Sequence, residues 1–503
     1  MRVAPHARLA RPALEGSRML YVRVVAPRGH AGQPWRRALL ELDLVPLHAC
    51  GELGTTLFAI AVPAAAALLD DLGFAVDRLG APGEPRASDL YLLRDDRQVR
   101  TGFLAEEGAS RAHFASDEEE ASVLASSPDG LYVAIPAGLS VEHYHFEEAR
   151  HGHTEKLLPN PALLSVGDGS PAVTGLTGQA EERALDPQER EALAQVSAES
   201  IGAHLARYAG GQSTEPPARA IVSRHILHAH NEVAVEALAA DLEAIGEGEL
   251  EVGLHAFRHE GQTLFNIEAE LQGSEPDELV LLTAHLDSTA QFSPGFDPTR
   301  DPAPGADDDA SGLAGVLSVA RTLHGLRRMR PPKRSIRFVL FNAEEHGLVG
   351  SKAYARDQAA LGARIAAVFQ MDMIGYNRAP PRSFEVHAGF LPSVEVQQRS
   401  RALAERIGRV ATDVSPGLPA PQIYVSDGSH EGDPAEGRSD HASFQLVGYP
   451  ACATTEDFFA GPGSDPAEPN PHYHMPSDTF VDLDYAADLA RAVGAAAWLS
   501  AAL

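Results

Sequence analysis

Five short stretches carry the residues able to do chemistry. His285-Leu286-Asp287 ends an apolar run. It is followed in order by Gly305-Ala306-Asp307-Asp308-Asp309-Ala310-Ser311-Gly312, by Asn342-Ala343-Glu344-Glu345-His346-Gly347, by Gln370-Met371-Asp372-Met373 and by His472-Tyr473-His474-Met475-Pro476-Ser477-Asp478-Thr479. Carboxylate oxygens and imidazole nitrogens are ordinary zinc ligands. Two metals a few ångströms apart can clamp the oxygens of a hydrolytic displacement. Acids and imidazoles of this kind, each beside a strand-like run, predict a zinc site with more than one metal.

The elements that must position them follow a strand–helix rhythm. Apolar runs at 279–284, 335–342, 366–371 and 449–455 read as strands; 311–323, a stretch from about 348, and 483–503 read as helices. Continuous apolar strands alternating with helices imply a mostly parallel sheet covered on both faces. His285, Glu344, Glu345 and Asp372 then fall at or just beyond the C-terminal ends of strands, the edge where open α/β sheets bind ligands. Asp308 sits in a Gly/Asp loop opening a helix. Upstream, Asp186-Pro187 opens a helix with Val196, Ile201, Leu205 and Tyr208 on one face, and Gly210-Gly211-Gln212-Ser213 breaks it. A second amphipathic helix carries Val235, Leu238, Leu242 and Ile245. One catalytic domain is expected over 189–503.

Ahead of it, strands at 19–25, 40–47, 55–62 and 74–79, with a helix at 64–72 ended by Gly73, match a ferredoxin-like split βαβ unit over 1–80. The first helix of that unit is poorly patterned. Residues 81–188 read as a loop-rich α+β or connecting region with a few short strands such as 131–135; 117–120 and 159–161 read as surface and connector.

Composition narrows the function. A formal net charge of −29 over 503 residues argues against nucleic-acid binding and against docking on anionic lipid. Cys50 and Cys452 are far apart, and no CxxC zinc pattern exists, so both are expected to be free thiols. No apolar run reaches transmembrane length. The Arg-rich residues 1–17 lack the apolar core of a signal peptide, which suggests a cytoplasmic protein or an unconventional export signal. Oligomeric state is not readable.

The stretches 283–288, 304–312, 343–347, 370–373, 439–443 and 474–479, in this order, resemble family twenty-eight of the metallopeptidases, the bacterial leucyl aminopeptidase-like di-zinc exopeptidases. The resemblance covers about the last 310 residues. It implies a three-layer α/β/α sandwich with a mixed, mostly parallel sheet, and a zinc-dependent aminopeptidase acting on peptides; family members are also secreted. It implies two co-catalytic Zn²⁺ ions, with Asp308 bridging both, His285 and Asp372 completing one, and Glu345 and His474 the other. Glu344 would be the general base, and Asp287 would hold the His285 ring by its other nitrogen, a device that fixes tautomer and basicity. A cis peptide bond after Asp308 is also implied.

Three carboxylates and two neutral imidazoles nearly neutralise two Zn²⁺, and a separate carboxylate is still needed to move the proton of the attacking water. In an extended backbone, adjacent glutamates point apart, which suits one as ligand and one as base. Some secreted relatives carry a tyrosine before Ser439-Asp440-His441 that assists the oxyanion; here 431–438 has none, and Tyr424 reads as an ordinary tyrosine. Arg438 reads as a solvated surface residue in preference to a substrate contact, and Asp440 either as a support to the ligands or as a helix cap. His143, His145, His151 and His153, near Glu147, Glu148 and Arg150, read as wet surface. His225, His228 and His230 read as a polar helix start. His474 is preferred to His472, and Asp308 to Asp307 and Asp309.

Three rival readings stand beside the aminopeptidase: a carboxypeptidase of the same family, a glutaminyl cyclase-like enzyme and a non-enzymatic receptor-like protein. About forty residues between the 235–245 helix and His285 leave no room for a protease-associated insert, and the complete five-ligand set argues against the other two. The position of the N-terminal region ahead of the catalytic domain suggests an inhibitory pro-segment as one role for it.

Overall fold

The computed structural model describes residues 19–27, 36, 39–40, 42–51, 54–79, 88–94, 122–127, 130–136, 141–143, 153–164, 183–209, 221–378, 382–426, 432–459 and 469–503. The Arg-rich N-terminus, 117–120, Gly210 to Ser213, His145, Glu147, Glu148, Arg150, His151 and Glu431 lie outside them, as does most of the stretch where the first N-terminal helix is expected.

Strands β1 (Leu20–Val25), β2 (Leu44–Cys50), β3 (Thr56–Ala61) and β4 (Ala75–Leu79) form an antiparallel sheet in the order β2-β3-β1-β4, with helix α1 (Pro63–Asp71) between β3 and β4. That is the strand order of a split βαβ unit. A second antiparallel sheet occupies the region read as loop-rich. It contains β5 (Ser88–Arg94), β6 (Ser122–Ser127), β7 (Gly130–Pro136) and β8 (His153–Lys156) in the order β6-β7-β5-β8. Leu47 and Phe58 of the first sheet pack on Leu90, Leu92 and Tyr132 of the second, and the Phe58 and Tyr132 rings stack. Long intervening stretches hide this pairing from a local pattern.

The large sheet has eight strands in the order β15-β14-β16-β13-β11-β12-β10-β9. They are β9 (Glu251–His259), β10 (Gln262–Leu271), β11 (Glu275–His285), β12 (Arg334–Phe341), β13 (Arg364–Met371), β14 (Phe384–His387), β15 (Gln422–Tyr424) and β16 (Ala451–Glu456). Four of its seven neighbouring pairs are parallel; β9, β10 and the β14–β16 junction supply the antiparallel ones. Successive residues point to opposite faces. Val280, Leu282 and Ala284 therefore enter one core with Phe338 and Phe369, while Leu279 and Leu281 enter the other with Val339, Phe341 and Val368. This double burial explains the unbroken apolar runs.

Helices α2 (Pro187–Leu193), α3 (Ala198–Tyr208), α4 (His230–Gly246), α5 (Ala310–Met329), α6 (Val349–Leu361), α7 (Val394–Val414), α8 (His441–Gln445) and α9 (Leu483–Ala502) cover the sheet. This is a three-layer α/β/α sandwich. The helix opened by Asp186-Pro187 is two helices: Asp186 caps α2, and Ser197 starts α3 with its own reciprocal capping box. Glu189 lies inside α2, where it bonds Arg183 and the Trp498 indole N–H. Cys50 and Cys452 are both buried and free.

Candidate metal centre

The central strands β13, β11 and β12 are parallel neighbours, so their C-terminal ends lie side by side. His285 is the last residue of β11 and pairs in register with Phe341, the last of β12. Asp372 follows β13 directly, and the Glu344-Glu345 pair follows β12 by a tight turn. Asp308 precedes α5, and His474 arrives from the loop ahead of α9. All six residues line one cleft of about 520 Å³, with Met373, His387, Arg438, Phe458, Phe459 and Tyr473 in its walls.

Asp308 stands at the centre. Its Oδ1 lies 3.0 Å from His285 Nε2, and its Oδ2 lies 3.2 Å from His474 Nε2. His285 Nε2 is also 3.5 Å from Asp372 Oδ1, and His474 Nε2 is 2.8 Å from Glu345 Oε2. Each oxygen of one carboxylate thus faces a different imidazole, and each imidazole has a second acid beside it. Donor atoms around a tetrahedral zinc with ~2.1 Å bonds lie about 3.4 Å apart. The spacings here suit two cations sharing Asp308. Asp307 and Asp309 are engaged elsewhere. Asp307 accepts from the Gly375 amide and Asn470; Asp309 accepts from the amides of His285, Gly312 and Met373. The peptide bond between Asp308 and Asp309 is cis.

The charge balance makes the same point. Asp287, Asp307, Asp308, Asp309, Glu344, Glu345, Asp440, Glu456 and Asp478 are all buried around this cleft. Burial pushes Glu344 well above the usual carboxylate range and Glu345 up to about 7. Burial alone would lower His474, but Glu345 and Asp308 outweigh it and push it up to about 10. Concentrated buried negative charge of this kind is stabilised by cations. Glu345 Oε1 has no hydrogen-bond partner among the described residues, which leaves it available as a ligand. The residues present therefore fit a pair of divalent metals.

Other expectations fare differently. Glu344 and Glu345 do not sit in an extended backbone: the amides of Gly347 and Leu348 both bond the Glu344 carbonyl. The turn brings both side chains to the cleft, and only Glu345 approaches an imidazole. Asp287 lies 3.8 Å from His285 Nδ1, beyond hydrogen-bond range. Its oxygens instead accept from the amides of Glu344 and Glu345, so it holds the paired-glutamate turn against the His285 loop. Asp440 makes no side-chain cap on α8; it accepts from Gln370, while its neighbour Ser439 donates to Asp372 at 2.6 Å. Arg438 is not a solvated surface residue: it is buried and lines the cleft, its guanidinium over the Phe459 ring. Tyr424 donates to Gln422 and stays out of the cleft lining. His472 turns to Ser477, away from Asp308.

Two groups escaped the sequence reading and a third was misplaced by it. Tyr473 stacks on His474 at 3.6 Å and lines the cleft; it was visible beside the histidine but carried no spacing signal. Arg224 is fully buried and donates to the carbonyls of Leu286, Pro304 and Gly305, so it ties the His285 and Asp308 loops together. His225 is not part of a helix start. Helix α4 begins at His230, and His225 is buried against Glu142 at 2.7 Å.

Peptidase family M28 matches residues 266–499. Leucine aminopeptidase 1 of Coccidioides posadasii is 32% identical over 241 residues, which cover 47% of this chain and 55% of that protein. Aminopeptidase YwaD of Bacillus subtilis is 29% identical over 232 residues, 46% of this chain and 42% of that one. The chain spans about half the length of the curated relatives it matches. Among solved structures, the LapA aminopeptidase of Legionella pneumophila superposes with a TM-score of 0.55 at 17% identity, covering 83% of this chain and 100% of that one, a likeness of fold.

Proposed function

We propose, from the match of residues 266–499 to peptidase family M28, that the chain is a zinc-dependent aminopeptidase, hydrolysing N-terminal residues from peptides. One observation carries the reading: the two oxygens of Asp308 face two different histidines, each flanked by a further carboxylate. The aminopeptidase names of the relatives from Coccidioides and Bacillus support the substrate class.

His285, Asp308 and Asp372 would hold one zinc, and Asp308, Glu345 and His474 the other. Zinc bound there would polarise the scissile carbonyl and make a water ionisable near neutral pH. Glu344 is the remaining carboxylate in the cleft. It takes the proton of the attacking water and passes it to the departing amine. Asp287 keeps Glu344 and Glu345 in register by receiving both their amides. Met373, Ala453, Phe458, Phe459 and Tyr473 give the cleft an apolar wall, which suits an apolar N-terminal side chain.

Metal analysis of the full chain, with a screen of aminoacyl anilides against their N-acetylated forms, tests the reading. Two zincs per chain and cleavage confined to free N-termini are expected. Preferential release of C-terminal residues, or cyclisation of N-terminal glutamine without peptide hydrolysis, would replace it.

A further inference from the structure

Outside the cleft lining, an N-terminal acid is buried among catalytic-domain residues. Glu142 belongs to a short 3₁₀ turn at Val141–His143. Its Oε1 accepts from the Thr289 hydroxyl at 2.5 Å, and its Oε2 is 2.7 Å from His225 Nε2. Thr289 lies two residues after Asp287, on the loop that begins at His285. The same Oε2 lies 3.7 Å from His346 Nε2, and His346 directly follows Glu345. One carboxylate thus hydrogen-bonds the His285 loop and stands beside the His346 ring of the paired-glutamate turn, without a hydrogen bond to it.

A second contact runs beside the first. The Lys156 amide, at the end of β8, donates to the Gly347 carbonyl at 2.9 Å. Lys352, at the start of α6, donates to Glu155 and to the Lys156 carbonyl at 2.7 and 2.6 Å. Gly347 has φ +102°, and a Cβ there would stand 2.3 Å from the Lys156 nitrogen. The turn carrying Glu344 and Glu345 is therefore shaped to receive the N-terminal strand.

Glu142, His225 and His346 together have a composition that could hold a metal. The hydrogen bonding argues otherwise. The His225 Nδ1 accepts from the Leu227 amide, so its proton sits on Nε2 and is donated to Glu142. A ligating histidine presents the opposite pattern, with its far nitrogen as donor.

We infer that Glu142 is a positioning residue: through Thr289 and the His225–His346 pair it fixes the Glu344–Gly347 turn against the His285–Thr289 loop, which makes the N-terminal region a working part of the active site. The inference rests on the proposed peptidase reading only for its effect on turnover.

The test uses the full-length chain with Glu142→Ala, Thr289→Val and the double variant, each measured for kcat, KM, zinc content and amide hydrogen exchange over 343–349. Glu142→Ala is expected to lower kcat at least tenfold with KM within about threefold, to keep two zincs, and to speed exchange in that turn. Thr289→Val removes one of the same bonds, so it should act in the same direction but less, and the double variant should be no worse than Glu142→Ala. If Glu142→Ala does not fold, Thr289→Val alone carries the kcat and exchange comparison. Unchanged kcat and exchange in a folded variant would overturn the inference, as would strictly additive losses. A third zinc in the wild type that is lost with Glu142→Ala would also overturn it, since the cluster would then be a metal site. If the chain lacks peptidase activity, the proposed function fails, and the exchange comparison still decides the role of Glu142.

Discussion

Glu344 and Glu345 share a turn but differ in company. Glu345 touches His474, while Glu344 approaches neither imidazole through a hydrogen bond. Glu344→Gln keeps size and polarity but cannot accept a proton. Turnover should fall by about 10²–10⁴-fold, the usual worth of a general base, with zinc content unchanged. Glu345→Ala should instead lower zinc stoichiometry or affinity, with partial recovery of activity on adding zinc. Metal analysis beside steady-state kinetics separates the two; loss of zinc in Glu344→Gln with retention in Glu345→Ala would swap the roles. The residues that meet around Asp308 were legible in the sequence because each sits at a strand end or loop with a recognisable neighbour. Arg438 was misread and Asp440 left between two readings because their partners, the Phe459 ring and Gln370, come from distant segments, as do the Glu344 and Glu345 amides that Asp287 accepts from.

At the scale of elements, the strands that carry the site were readable because burial on both faces leaves an apolar run. The β9–β10 pair, the edge strand β15 and its neighbour β14 were not. β9 alternates exposed and buried positions weakly, and β15 is only three residues long. β14 also holds polar residues that no periodicity explains: His387 donates to Asp433 at 2.7 Å and to Glu385 at 3.2 Å, all three buried. Burial would lower His387, but Asp433 and Glu385 outweigh it and push it up to about 9. A folded pKa above the unfolded value stabilises fully below the unfolded pKa, near 6.5, and the gain is lost as pH rises through about 9. Thermal stability of the wild type should therefore decline between pH 7 and 9.5, with the His387 ring still protonated at pH 7.5 by NMR. A ring titrating below pH 7 would contradict this. Asp433 and Glu385 also anchor the amides of Gly389 and Phe459, so the cleft wall should loosen over the same window.

Across the whole molecule, the N-terminal sheets and the sandwich share buried surface. Leu163 and Leu164 pack in one cluster with Phe390, Val396 and Leu446. A fragment starting at 183 keeps Arg183 and Asp186, the partners of Glu189, and all the proposed ligands. It uncovers Phe390, Val396 and Leu446 and removes Glu142. We expect it to retain the eight-stranded sheet by circular dichroism, to melt lower than the full chain and to turn over more slowly. A fragment faster than the full chain would instead identify the N-terminal region as inhibitory. The composition of the chain gave no sign of this joint, because the polar bridge at its centre depends on one glutamate in a stretch of otherwise surface-like sequence. The central claim is the pair of metals sharing Asp308, and it is tested most directly by titrating zinc into the zinc-depleted full chain while following release of the N-terminal residue from a peptide. The account predicts no turnover before addition, a plateau at two equivalents per chain, and no cleavage of the N-acetylated peptide. Full turnover without metal, or equal cleavage of the acetylated peptide, would contradict it.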